Sequence, residues 1–245
     1  MIYSMHRRNW SRLVMVGTGT LLSLVLSTAC VQYEAEPFTG YTLPRVTGYT
    51  TGITNDWLYF NLHTGEVYNL DAPNQDIREG EQYERTDWDL AFCGYRLRTN
   101  SGTSGVGQGG AADLGYEGYN RWERVSQLPD TLTWAVDDST VTVTMSRSDW
   151  NKYLIANSLD FDANPWFDPN NGPARTVTSA NPILARSMTF TGPPPVYTPS
   201  FHTYVVRAAD GVRYYKLQII SWYKADHELG DSGGEISYYV SPLEK

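Results

Sequence analysis

Two patterns of apolar residues divide this chain. Leu13, Val14, Met15, Val16, Leu21, Leu22, Leu24, Val25 and Leu26 form a nearly continuous apolar run behind Arg7, Arg8 and Arg12. The small residues Ser27, Thr28 and Ala29 then lead into Cys30. A basic start, a short apolar stretch and a small-residue exit describe a secretory signal, and the run is shorter than the ~20 residues a bilayer crossing needs. From Asp56 onward the period becomes two. Trp57, Tyr59 and Asn61 alternate with Leu58, Phe60 and Leu62, and Val141, Val143 and Met145 alternate with Thr142, Thr144 and Ser146. That is the pattern of strands with two different faces.

Turn chemistry places further strands. Asp210–Gly211 separates a run over 203–207 from one over 212–223, which predicts a hairpin whose two central residues both take positive φ. A last strand is expected at 235–240, after Gly230–Asp231–Ser232–Gly233–Gly234. Helical signal is scarce. Its best case starts at Ser148 as N-cap, sets Trp150 and Leu154 four apart on one face, and runs to Asn157. Residues 158–182, with Pro165, Pro169, Pro173 and Pro182, read as a long loop. The fold class is therefore all-β, mainly antiparallel, with at most one or two short helices. The expected organisation is a signal at 1–29, a polar tether at 30–51 and a single β domain at 52–245.

A cysteine directly after the small residues suits lipoprotein processing, which would leave Cys30 lipidated as the new first residue. The alternative is an ordinary signal with an incidental cysteine, and Ser27 stands where lipoprotein signals usually carry Leu. Removal of the signal leaves 16 basic side chains against 27 acidic ones, a net charge of −11. Such a surface repels nucleic acid and anionic membrane, so nucleic-acid binding is set aside. If Cys30 carries lipid, Cys93 is the only thiol left, so no disulfide is implied and Cys93 reads as a small buried hydrophobe.

Candidate chemistry is sparse. The run Ser101–Gly102–Thr103–Ser104–Gly105–Val106–Gly107–Gln108–Gly109–Gly110 lacks the lysine and the following helix of a phosphate loop, so a wide loop in close backbone contact is expected. Asp160, Asp162, Asn164, Asp168 and Asn171 resemble a calcium loop, yet Pro165 and Asn171 occupy the positions that need Gly and Glu. A solvated acidic loop is favoured over a calcium site. His63, His202 and His227 stand in no catalytic signature, so no enzyme is expected. Met145 and Met188 are the only methionines beyond the signal. Each is either core filling or a soft axial ligand for haem iron.

Thr86–Asp87–Trp88–Asp89–Leu90–Ala91–Phe92, then Arg98–Thr99–Asn100–Ser101–Gly102 with the Gly-rich run to Ala111, resemble the HmuY family of bacterial haem-binding lipoproteins. Gly192–Pro193, Pro195–Val196–Tyr197, Val205 to Gly211, Tyr215 to Ile219 and Gly234 to Tyr239 extend the resemblance over most of the mature chain. It implies a hand-shaped β domain that grips one haem, the iron protoporphyrin, between finger-like strands. It also implies a lipid-anchored protein at the cell-surface side of the outer membrane, in some cases shed, which takes haem from host haemoproteins and delivers it to an outer-membrane haem receptor. Members fix the iron by two axial side chains. The first follows a strand resembling Val141–Met145 and the second precedes the Gly-Pro. Neither region holds a histidine and each holds one methionine, so the resemblance implies Met145 and Met188 as axial ligands. The second position aligns nearer Phe190 or Thr191, and His202 in the next strand is the fallback ligand. Phe190, Thr191 and Tyr197 are the implied pocket residues, with Ser187 and Thr189 as polar candidates beside them. A member without ligands would hold the porphyrin by packing alone. A surface adhesion or glycan-binding β module is the reading from a different class.

Overall fold

A computed structural model describes residues 37–43, 57–116, 118–145, 147–191, 196–223 and 235–245. The strands are β1 (Tyr41–Thr42), β2 (Leu58–Phe60), β3 (Val67–Tyr68), β4 (Leu90–Cys93), β5 (Arg96–Thr99), β6 (Gly110–Asp113), β7 (Asp138–Thr144), β8 (Phe167–Asp168), β9 (Gly172–Pro173), β10 (Arg175–Ala180), β11 (Met188–Thr191), β12 (Val196–Pro199), β13 (Tyr204–Arg207), β14 (Tyr214–Ser221) and β15 (Ser237–Pro242). Among the described residues one α-helix, α1 (Arg147–Ala156), follows β7. All pairings between named strands are antiparallel. A five-stranded sheet has the order β1-β15-β14-β13-β6 and a four-stranded sheet the order β3-β2-β4-β5, while β7–β10, β11–β12 and β8–β9 form three two-stranded antiparallel sheets, hairpins of which the β7–β10 one has α1, β8 and β9 between its strands in the chain.

The alternation read from the sequence becomes two buried faces rather than one buried and one wet. Leu58, Phe60, Leu90, Phe92 and Leu97 of the smaller sheet pack against Tyr204, Val206, Leu217, Ile219 and Tyr238 of the larger one. Phe92 bridges the layers, with its ring 5.6 Å from Phe60 and 5.2 Å from Tyr238. Each such side chain contributes about 1.5–3 kcal/mol of burial. The opposite row, Trp57, Tyr59, Ala91 and Cys93, is buried with Ile77 and Trp88 in a second cluster. The Arg98 guanidinium lies 3.8 Å over the Trp57 ring and pairs with both Glu79 oxygens at 3.0 and 3.1 Å. Cys93 is buried there, as its apolar neighbours predict, and accepts a 3.0 Å hydrogen bond from Arg96.

Buried amides and carboxylates tie these layers together. Asp89 accepts the Ala209 N–H with one oxygen and the Leu62 N–H with the other, each at 2.8 Å, and so links loops of the two sheets. Asn100 is wholly buried. Its side-chain amide donates to the Arg85 and Trp88 carbonyls at 2.9 Å and its oxygen accepts from Gly107 N–H at 2.9 Å. The Gly-rich run wraps this residue. A Cβ on Gly107 would stand 2.7 Å from the Asn100 carbonyl oxygen and one on Gly109 2.6 Å, so only glycine fits.

The structure departs from the sequence reading at four places. The late hairpin exists as β13–β14, but only Gly211 takes positive φ (72°), because the Asp210 carboxylate accepts the Val212 and Arg213 N–H groups at 2.8 and 3.0 Å and holds its own backbone on the right-handed side. The helix begins at Arg147, ahead of the serine expected to cap it. The expected 158–182 loop contains β8, β9 and all of β10. Finally, β1 lies inside the stretch read as tether: it pairs with β15, and Leu43 after it joins the main core.

Candidate ligand site between two hairpins

The β7–β10 hairpin places Met145. β-branched residues alternate along β7, and Val141 and Val143 turn inward against Ala180, with Tyr95 and Ala185 beside them. Parity carries Met145 onto the same face, and it is buried. Its N–H donates to the Ala174 carbonyl at 2.8 Å, and its carbonyl accepts the Trp166 indole N–H at 2.9 Å. The hairpin is braced at its base by residues just outside both strands. Asp137, before β7, accepts the Thr99 N–H at 3.0 Å, the Thr99 hydroxyl at 2.6 Å and the Asn181 amide at 3.2 Å. Asn181, after β10, also donates to the Ala135 carbonyl at 3.0 Å. Burial pushes the Asp137 carboxyl up to about 6 against these hydrogen bonds, which favour the ionised form.

The β11–β12 hairpin places Met188. It pairs in register with Pro199, Thr189 with Thr198, Phe190 with Tyr197 and Thr191 with Val196. Met188 and Tyr197 are half-buried against the main core, whereas Thr189 is exposed and donates its hydroxyl to the Thr198 carbonyl at 3.1 Å. Ser187, next to Met188, is wholly buried, and its hydroxyl has no hydrogen-bond partner among the described residues. The side chains of Phe190 and Thr191 lie outside the described residues, as do Cys30 and Gly192–Pro193.

Tyr95, in the β4–β5 turn, joins the two hairpins. Its hydroxyl donates to the Thr144 carbonyl, one residue before Met145. Its ring stacks on Tyr197, with centroids 5.3 Å apart and planes 29° apart, and Tyr197 faces Phe190 in the β11–β12 register. Trp222 closes the cluster, 5.5 Å from Tyr95 and 5.1 Å from Tyr197, and the Tyr197 N–H donates to the Tyr223 hydroxyl at 3.2 Å. Burial raises the Tyr95 hydroxyl well above the phenol range. Burial, with Tyr223 nearby, holds that of Tyr197 at about 12, so both stay neutral. Of this cluster the sequence reading named Tyr197 alone. Tyr95, Trp222 and Tyr223 are brought together by strand order, which no local spacing encodes.

The remaining candidates sit elsewhere. His202 puts Nδ1 2.9 Å from the Asp113 carboxylate at the end of β6, and its ring lies 4.1 Å from Tyr116. His63 is exposed in the β2–β3 turn. The acidic loop is spent on local turns: Asp160 accepts the Asp162 N–H at 2.9 Å, and Asp168 accepts from Asn170 and Asn171 at 2.8 and 2.6 Å. Among the described residues no group of three His, Cys, Asp or Glu side chains could hold a metal ion. A cavity of about 270 Å³ opens against α1, walled by Arg147, Trp150, Leu154, Phe161 and Trp166, with the Arg147 guanidinium 5.7 Å over the Trp166 ring. A larger one, about 400 Å³, lies by Asp113, Arg121, Trp122 and Leu132.

The fold and this site define a mainly antiparallel β protein with two hairpins braced against a two-sheet body. The model of the HmuY protein family matches residues 54–239, and the chain belongs to that family. No curated protein matches the sequence. Among solved structures, apo PinO from Porphyromonas gingivitis is similar at 14% identity and a TM-score of 0.51, over 85% of this chain and all (100%) of that one. A Bacteroides vulgatus protein described as HmuY-like and heme-binding is similar at 21% identity and a TM-score of 0.49, over 83% of this chain and 92% of that one. The apo HmuY analog of Tannerella forsythia shares 17% identity at a TM-score of 0.46, over 87% of this chain and 100% of that one.

Proposed function

We propose that this protein binds one haem between the β7–β10 and β11–β12 hairpins, with Met145 and Met188 as axial ligands of the iron. The observation that supports this most is the Tyr95 bridge: one side chain contacts the backbone beside Met145 and the strand paired with the one that carries Met188. The residues fit a haem in kind. Two thioethers are soft ligands suited to ferrous iron. The Tyr95, Tyr197 and Trp222 rings offer an apolar wall, and the partnerless Ser187 hydroxyl and the Arg147 guanidinium are polar groups suited to propionates. Haem would supply the ferric–ferrous couple, while the protein burials and ligand choice set which oxidation state is held more tightly. Met145 is only 4% exposed, so its sulfur would be available to hold a haem only if that end of the hairpin opened.

The wider reading follows from the family and from the leader. A lipid on Cys30 holds the domain at the outer membrane, facing out, and the protein acts by binding rather than catalysis. It takes haem from host haemoproteins and hands it to an outer-membrane haem receptor. Titration of the purified protein with ferric and then dithionite-reduced haem is the test. A low-spin spectrum saturating at one equivalent, with the tighter complex in the reduced state, is expected. A spectrum identical to free haem in both states overturns the reading and favours an adhesion or glycan-binding module.

A further inference from the structure

An aromatic strip lies where the chain enters the domain. The Phe38 ring is 5.0 Å from Tyr239, Tyr239 is 5.5 Å from Tyr119, and the Lys216 ammonium stands 4.5 Å above the Tyr119 ring. Phe38, Tyr119 and Tyr239 are half-buried on one face of β15, while Tyr41 leans on Tyr238 at 5.7 Å on the other. The Tyr119 and Ser241 hydroxyls share a hydrogen bond of 2.7 Å. Rings with one apolar and one polar end prefer the headgroup level of a bilayer.

Chain length says which surface meets this strip. Seven residues separate Cys30 from Phe38. Fully extended, eight steps reach at most about 29 Å. A compact unit of the size of 38–245 has a radius of gyration of about 17 Å, hence a diameter of about 40 Å. A lipid on Cys30 therefore keeps Phe38 and its neighbours close to the membrane, and the opposite end of the domain cannot take their place. Charge does not drive the contact, because the mature chain is net acidic and Glu123 lies near Lys216.

We propose that Phe38, Tyr119 and Tyr239 form the face by which the domain rests on the bilayer that holds its lipidated Cys30. This rests on the anchor reading above. The consequence is that the domain does not tumble on a leash but presents its hairpins to partners in a restricted range of orientations.

Hydroxyl-radical footprinting of the lipidated protein, in vesicles of phosphatidylethanolamine and phosphatidylglycerol, tests it against the Cys30→Ser chain free in solution at the same concentration. Modification of Phe38, Tyr119 and Tyr239 should fall severalfold on the vesicles, while the exposed rings of Tyr153 and Phe161 react equally in both samples. A lipidated chain with no such difference, or with equal shielding of Tyr153 and Phe161, overturns the proposal alone. The same protection in the soluble chain makes a second copy the occupant and also overturns it. A Cys30 peptide whose mass lacks lipid overturns the anchor reading, and the proposal with it.

Discussion

Asn100 and Asp137 are two polar residues on which the apolar fold depends, and each makes a separable prediction. Asn100→Ala leaves the Arg85 and Trp88 carbonyls and the Gly107 N–H unpaired in the interior. At about 1 kcal/mol for each bond, the variant should lose about 3 kcal/mol in urea unfolding. The haem spectrum of the fraction that remains folded should not change. Asp137 governs a pH effect. Its carboxyl, at about 6, lies above the about 3.9 of an unfolded aspartate, so the folded chain binds that proton more tightly. Its contribution is complete below about pH 4 and is lost as pH rises through about 6, a swing of about 3 kcal/mol. Asp87 and Asp210, held below the carboxylate range, contribute in the opposite sense and lose their share in more acidic solution. Thermal melts should therefore show stability rising from pH 7 to pH 5, and Asp137→Asn should flatten that rise. The motif around residues 86–111 marked the family in the sequence, yet Asp89 and Asn100 act there as pins between layers, away from the two methionines. A distinctive motif was legible as a marker of kinship and silent about its own role, because hydrogen-bond partners such as Ala209 lie far along the chain.

At the scale of elements, two hairpins carry the proposed ligands and one tyrosine sets their spacing. Tyr95→Phe keeps the stack on Tyr197 and removes the hydrogen bond to Thr144. It should cost about 1 kcal/mol in stability, and stopped-flow transfer of haem to apomyoglobin should show faster release than from the parent protein. An unchanged release rate would mean that the bridge is packing without influence on the site. The strands themselves were readable where one face differs from the other, as in β7. β10 was not, because its proline-rich approach masks six residues of strand whose partner lies more than thirty positions earlier. Tyr95 was equally invisible: with 18 tyrosines in the chain, composition singles out none, and only the pairing of β4 with β5 and of β11 with β12 brings this one between the hairpins.

At the scale of the whole molecule, charge and ligation act against each other. The chain carries a net charge of −8, and −11 if the proposed signal is removed, so long-range forces would oppose encounter with a ligand that has two carboxylates. The association rate of haem should rise with added salt as the repulsion is screened, the reverse of an electrostatically steered pair. Affinity must then come from burial of the ring and from the two sulfurs. The measurement that tests this most directly is the reduced-haem absorbance spectrum of Met145→Leu, Met188→Leu and their double variant, since leucine preserves core volume and removes only the thioether. The parent protein should give the sharp bands of low-spin ferrous haem, each single variant should shift toward high spin, and the double variant should lose axial ligation, with His202→Ala unchanged. A double variant whose reduced spectrum matches the parent's would contradict the assignment of both methionines.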